Sequence, residues 1–158
     1  MDFIPIVAGG TPSISTDGRY VGYSAYTPDA DGETHGNVYL YDRTEDMTVR
    51  LSQSPEGERG DGVSSGASVS VDGRYVTFES QASNLIAGDT SAGGVFRWDR
   101  VTGVIQRISV NNSGAVAAGS GSASISGDGL HVAFASTATN LVPGDTNSRN
   151  DVFVRNLG

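Results

Sequence analysis

One phrase occurs three times in this chain, and that recurrence constrains its fold more than any other property. The copies are Ser13–Tyr23 (SISTDGRYVGY), Ser68–Phe78 (SVSVDGRYVTF) and Ser124–Phe134 (SISGDGLHVAF). Their Asp-Gly pairs begin at Asp17, Asp72 and Asp128, 55 and then 56 residues apart. A second phrase keeps step with the first: Asn37–Asp42 (NVYLYD), Gly94–Asp99 (GVFRWD) and Asp151–Asn156 (DVFVRN), with Val38, Val95 and Val152 each 57 residues apart. Two independent phrases in one period mean a repeated unit, and repeated units bury a periodic face against their neighbours.

Each unit reads as four short strands. Alternating segments on either side of Asp-Gly, a strong hairpin signal, give strands a and b. The Val-Tyr/Phe phrase gives strand c, and turns near 43–47 and 100–103 lead to strand d over 48–52 and 104–110. No useful window holds apolar residues at helical spacing. Four strands per unit is the pattern of a β-propeller blade, so the expected fold class is all-β, with three four-stranded antiparallel blades in one segment, 1–158. Blade 1 is expected over about 12–53, blade 2 over about 67–110 and blade 3 over about 123–158.

Composition narrows the rest. The 22 glycines fit many turns, and without cysteine neither a disulfide nor a thiolate metal site can hold the fold. All ten basic residues are Arg; against 18 carboxylates they leave a net charge of −8, which repels phosphate backbones and anionic lipid. Nucleic acid and membrane are therefore excluded as expected partners. Positions 1–9 lack the basic start and long apolar run of a signal peptide.

The phrases S-x-S-x-D-G-R-Y-V, N-L-x-x-G-D-T (Asn84–Thr90 and Asn140–Thr146) and D-V-F-V-R resemble the repeats of TolB-like propellers, also called PD40 or WD40-like repeats. The resemblance covers nearly the whole chain. It departs from many such repeats in that Pro12 is not followed by the usual Trp, and in that the first unit lacks the N-L-x-x-G-D-T loop. It implies a propeller, with six blades a common number, and a bacterial periplasmic or extracellular home. It implies no particular reaction, because propellers host many.

The third unit stops at Gly158, directly after strand c. Residues Phe3–Val7 (FIPIV) precede the first strand a, and Pro5 is tolerable on an edge strand, so Phe3, Ile4, Ile6 and Val7 are expected to supply strand d to Val152, Phe153 and Val154. The donor is either the same chain or a partner, and a plain N-terminal extension is the alternative. Three blades would each have to fill 120°, whereas propellers use about four to eight blades. A homodimer of six blades is the expected assembly, and a segment of a longer propeller is the competing account.

The functional expectation is a non-catalytic scaffold or binding module for a protein or glycan. The b–c and d–a loops share one propeller face and carry nine carboxylates against two Arg, whereas the opposite face carries seven against four. Asp145, Asn147 and Asp151 in one loop, with Asp31, Glu33 and Asn37 in another, have spacings that could hold Ca2+; turn capping by the same side chains is the competing reading. A cation-dependent enzyme on this acidic face is one alternative function, and a propeller segment distinguished by self-assembly is another. Gly62-Val-Ser64-Ser-Gly66 matches G-x-S-x-G but lies in a d–a loop without a strand-to-helix elbow. His131 is expected as packing in strand b, His35 sits in an acidic loop, and neither is placed beside a nucleophile. Asp-Gly-Arg turns are expected to cap themselves while Arg19 and Arg74 pair with carboxylates. Tyr23, Phe78, Phe134, Tyr39, Phe96 and Phe153 should pack between blades, and Trp98 should face outward as a surface contact.

Overall fold

The computed structural model describes residues 9–28, 34–147 and 149–158. Eleven strands form three antiparallel sheets, and the described residues include no helix. The first sheet runs β1 (Ser13–Ile14), β2 (Tyr20–Pro28), β3 (Thr34–Asp42) and β4 (Met47–Arg50) in order. The second runs β5 (Ser64–Val69), β6 (Tyr75–Ser80), β7 (Gly94–Asp99) and β8 (Ile105–Arg107). The third holds β9 (Ser120–Ile125), β10 (His131–Ser136) and β11 (Asp151–Asn156). These are the expected blades, and among the described residues no strand pairs with the outer edge of β11.

The Asp-Gly phrase makes the a–b hairpin. Gly18, Gly73 and Gly129 sit at φ 72°, 68° and 73°, a left-handed geometry that a Cβ disfavours. Two of them also form the blade contact: a Cβ on Gly73 would drive into the Tyr20 ring of blade 1, and one on Gly129 into the Tyr75 ring of blade 2. β5 and β9 begin at Ser64 and Ser120, about three residues ahead of the expected starts, because a bulge lets the strand continue. In blade 1 the Gly9–Ala25 bridge lies one residue out of register with the β1–β2 pairs, the same shift that the bulges make in blades 2 and 3.

Alternation along each strand sends one face to the preceding blade and one to the next. Tyr20, Val38, Leu40 and Leu51 of blade 1 meet Ala67, Val76, Phe78, Phe96 and Trp98 of blade 2 in the main core, and a second core joins Val95 and Ile108 to Val132 and Phe134. Phe78–Phe96 and Phe134–Phe153, at 5.7 and 5.9 Å between centroids, pack between blades as expected, whereas Tyr23–Tyr39, at 5.5 Å, stacks in a cluster of blade 1 residues alone. Trp98 does not face outward as expected. Residues two apart on a strand share a face, so Trp98 follows Phe96 into the core and is only 9% exposed.

Polar links repeat with the blades. The Val69 N–H donates to Ser13 Oγ at 3.0 Å, and the Ile125 N–H donates to Ser68 Oγ at 3.2 Å. The Thr16 N–H donates to the Val71 carbonyl and the Val71 N–H to the Gly127 carbonyl, both at 3.0 Å. Apolar burial alone would let the blades slide; these bonds fix the register in which each blade meets the next.

Candidate functional site

In a propeller blade, strand d completes the outer edge, and its sequence shows what that edge asks for. The chain has two copies: Thr48-Val-Arg-Leu-Ser52 and Ile105-Gln-Arg-Ile-Ser109. In both, the Leu51 or Ile108 N–H donates to the Val38 or Val95 carbonyl at 2.8 Å, and the Val N–H donates to Ser52 or Ser109 Oγ at 3.1 Å. Leu51, Ile108, Ser52 and Ser109 are fully buried, so Arg-(Leu/Ile)-Ser is what a strand needs to seat here.

The Arg of this phrase stands opposite the strand-c aromatic, Arg50 across from Tyr39 and Arg107 across from Phe96. In blade 2 its guanidinium lies 4.6 Å from the Phe96 ring centroid. Nε donates to Asp89 Oδ2 at 2.7 Å, while the two terminal nitrogens donate to the carbonyls of Gly93 and Ser91 at 2.6 and 2.5 Å. Arg107 thereby pins the N-L-x-x-G-D-T loop onto its own blade. Burial works to raise the Asp89 carboxyl, but the Ser91 N–H and the Arg107 cation outweigh it and hold the group below the ordinary range. In blade 1 the Arg50 guanidinium donates to the Gly57 carbonyl at 3.1 Å.

Blade 3 has the same loop, Asn140-Leu-Val-Pro-Gly-Asp-Thr146, and the same strand c. Asp145 stands where Asp89 does, and its Oδ1 is buried without a hydrogen-bond partner. Beside β11 lies a groove of about 330 Å3, with Val110, Phe134, Leu141, Phe153 and Arg155 among its lining. The corresponding cleft of blade 2, about 370 Å3, includes Val104 and Ile105 from the outer edge of that blade in its wall.

The broad face of blade 3 is open as well. Val38 and Val95 are 0% exposed and Leu40 is 3%, whereas Val152 is 77% and Val154 is 68%. His131 is exposed too, where Tyr20 and Tyr75 at the same repeat position lean on the next blade, so among the described residues it does not take the expected packing role. At the other end of the chain Ile14 is 57% exposed, while its counterparts Val69 and Ile125 pack against the cores.

The acidic loops can be followed only in part, since Asp31 and Glu33 lie outside the described residues, as do Phe3, Ile4, Ile6 and Val7. Asn147 and Asp151 do meet, Asn147 Nδ2 donating to Asp151 Oδ2 at 3.0 Å, but Asn147 Oδ1 accepts the Arg149 N–H at 2.7 Å, the bond of a self-capped turn. Asn37 is buried inside blade 1, where its carbonyl accepts from Ser52 and its amide donates to the His35 carbonyl. Among the described residues no three His, Cys, Asp or Glu side chains form a group able to hold a metal. Ser64 of G-x-S-x-G is buried in β5, its hydroxyl bonded to Ser80 Oγ at 2.8 Å.

The Asp-Gly-Arg turns are as the sequence indicates. Asp17 accepts from the Ser15 hydroxyl and the Arg19 N–H, while Arg19 forms two parallel bonds to Asp42 at 2.9 and 2.7 Å, and Arg74 repeats this with Asp99. The Arg19 contact draws the Asp42 carboxyl down to about 2. These pairs are structural clasps between strands b and c.

The sequence matches no protein-family model and no curated protein. Solved structures do resemble the fold. The β-propeller domain of the Trilobed protease from Pyrococcus furiosus, described as having an open velcro topology, aligns at a TM-score of 0.61 and 11% identity. The alignment covers 99% of this chain and 41% of that one. The tricorn protease aligns at 0.52 and 10% identity, over 92% of this chain and 12% of that one. These likenesses show a β-propeller fold, of which this chain spans a part.

Proposed function

We propose that the chain is a non-catalytic propeller scaffold of the TolB-like repeat kind, which closes a six-bladed ring with a second copy and presents its acidic loops to a protein or glycan. The observation that carries this reading is Val152 at 77% exposure, where Val38 and Val95 are 0%. A position buried twice by the next blade has a third copy on which no described residue packs as a blade. Within the chain, blade 1 meets blade 2 and blade 2 meets blade 3 through the same bonds. Continuing that pattern seats blade 3 of one copy on blade 1 of the other, with Ser124 Oγ accepting the Ile14 N–H and the Gly127 N–H reaching the Thr16 carbonyl. A two-fold axis then makes both junctions alike, which closes the assembly. A periplasmic or extracellular home belongs to the family part of this reading.

The chain has no cysteine, so one pair introduced across the junction gives a clean test. Ser124→Cys with Ile14→Cys should oxidise to a single dimeric band on a non-reducing gel. Ser68→Cys with Ile125→Cys, in the same relation inside one chain, should close without changing the mass. A ladder of multimers would mean open head-to-tail growth instead of a ring, and monomer alone, with the control closed, would contradict the junction.

A further inference from the structure

We propose that the cleft of about 370 Å3 where blade 2 meets blade 1 binds a neutral N-acetylated amino sugar, whose acetamido group meets the indole N–H of Trp98 and the carbonyl of Gln53. The inference deepens the glycan part of the function proposed above. Every residue it uses lies within one chain, away from either end, so it does not depend on the ring.

The two grooves between successive blades differ at one repeat position. Between blades 2 and 3 that position holds Arg155, whose Nη1 donates to the Val110 carbonyl at 3.2 Å and to Asn112 Oδ1 at 3.3 Å. The chain satisfies that groove itself. Between blades 1 and 2 the position holds Trp98, and Gln53 stands where Val110 does, each 57 residues earlier. Trp98 is only 9% exposed, yet its indole N–H donates to no described residue and is open to solvent at the cleft it lines. The Gln53 carbonyl, counterpart of the one that Arg155 engages, accepts no hydrogen bond from a described residue either.

A donor and an acceptor left unused side by side select an amide, which brings one carbonyl and one N–H. Leu85, Ile86 and Ile105 form an apolar wall that suits a methyl group, and no charged side chain lines the cleft, so a charged ligand would lose its water without a partner. An acetamido group has this composition. The Gln53 side-chain amide, which bonds no described residue, is left for the hydroxyls of the sugar ring, and the volume lies at the small end of the range for ligand sites, enough for one ring. An extended peptide repeats its amide at every residue, whereas Pro55 has no N–H to give and the aliphatic wall bonds nothing.

Trp98 is the chain's sole tryptophan, so the emission of the full chain reports on the site. Titration with N-acetylglucosamine should change it saturably, and glucose, with a hydroxyl in place of the acetamido group, should bind about tenfold more weakly or less still, the scale of a lost hydrogen bond that leaves its partner unpaired. Trp98→Phe keeps an aromatic wall and removes the donor. With its melting temperature checked and binding read by ligand-observed NMR, it should weaken N-acetylglucosamine about tenfold and leave glucose little affected. Equal binding of the two sugars, or emission that does not respond, would overturn the proposal. So would tighter binding of N-acetyl-leucinamide, which would make a peptide the occupant. A chain that dimerises yet ignores N-acetylglucosamine would reject this site and leave the ring standing.

Discussion

Val152→Asp combined with Val154→Asp should leave the chain folded and monomeric. Both side chains are largely exposed on the free blade face, so exchange to a carboxylate costs the single chain little. In the proposed ring they occupy the positions of Val95 and Arg97, under the next blade, and two unpaired carboxylates would have to lose their water there. Dimer dissociation should become about a hundredfold easier or more, equivalent to roughly 3 kcal/mol. Sedimentation velocity across a concentration series, with circular dichroism as the folding check, reads both parts. A double variant that associates as the parent does would remove this face from the interface.

Arg107→Ala should be the most damaging single change on the outer edge of blade 2. Its side chain is 6% exposed and holds Asp89, two loop carbonyls and the face of Phe96 together. Truncation leaves a part-buried carboxylate and two carbonyls without their donor. A loss of about 3 kcal/mol is expected, lowering the melting temperature by about 10 °C in a chain of this length. Arg149→Ala, on an exposed loop residue, should change it by about 1 °C or less. Equal small losses in both variants would mean that the loop does not depend on Arg107.

The repeat phrases foretold the blades because each residue in them has a local job. Asp-Gly needs the left-handed turn, Val-x-Phe needs an alternating buried face, and Arg19 and Arg74 find carboxylates on the adjacent strand. Trp98 runs against its repeat position: Tyr41 and Arg155 share that position and suggest a surface, whereas strand parity with Phe96 puts Trp98 in the core. His131 shows the converse, since a position that packs in two blades is exposed in the third.

The Arg-(Leu/Ile)-Ser phrase was legible as well, at Arg50 and Arg107, 57 residues apart. Its meaning was not. That an Arg on strand d serves an Asp 18 residues earlier requires knowing that the b–c loop folds back over the outer edge, a three-dimensional fact with no local signature. The acidic loops misdirect for a related reason. Asp and Asn at ligand-like spacing and at turn-capping spacing look alike in sequence, and Asn147 caps the Arg149 N–H.

Sedimentation equilibrium of the unmodified chain at micromolar concentration tests the central claim most directly. Two 16.3 kDa chains in one species, with no larger mass as concentration rises, is the predicted result. A stable monomer of one 16.3 kDa chain across the same range would contradict it.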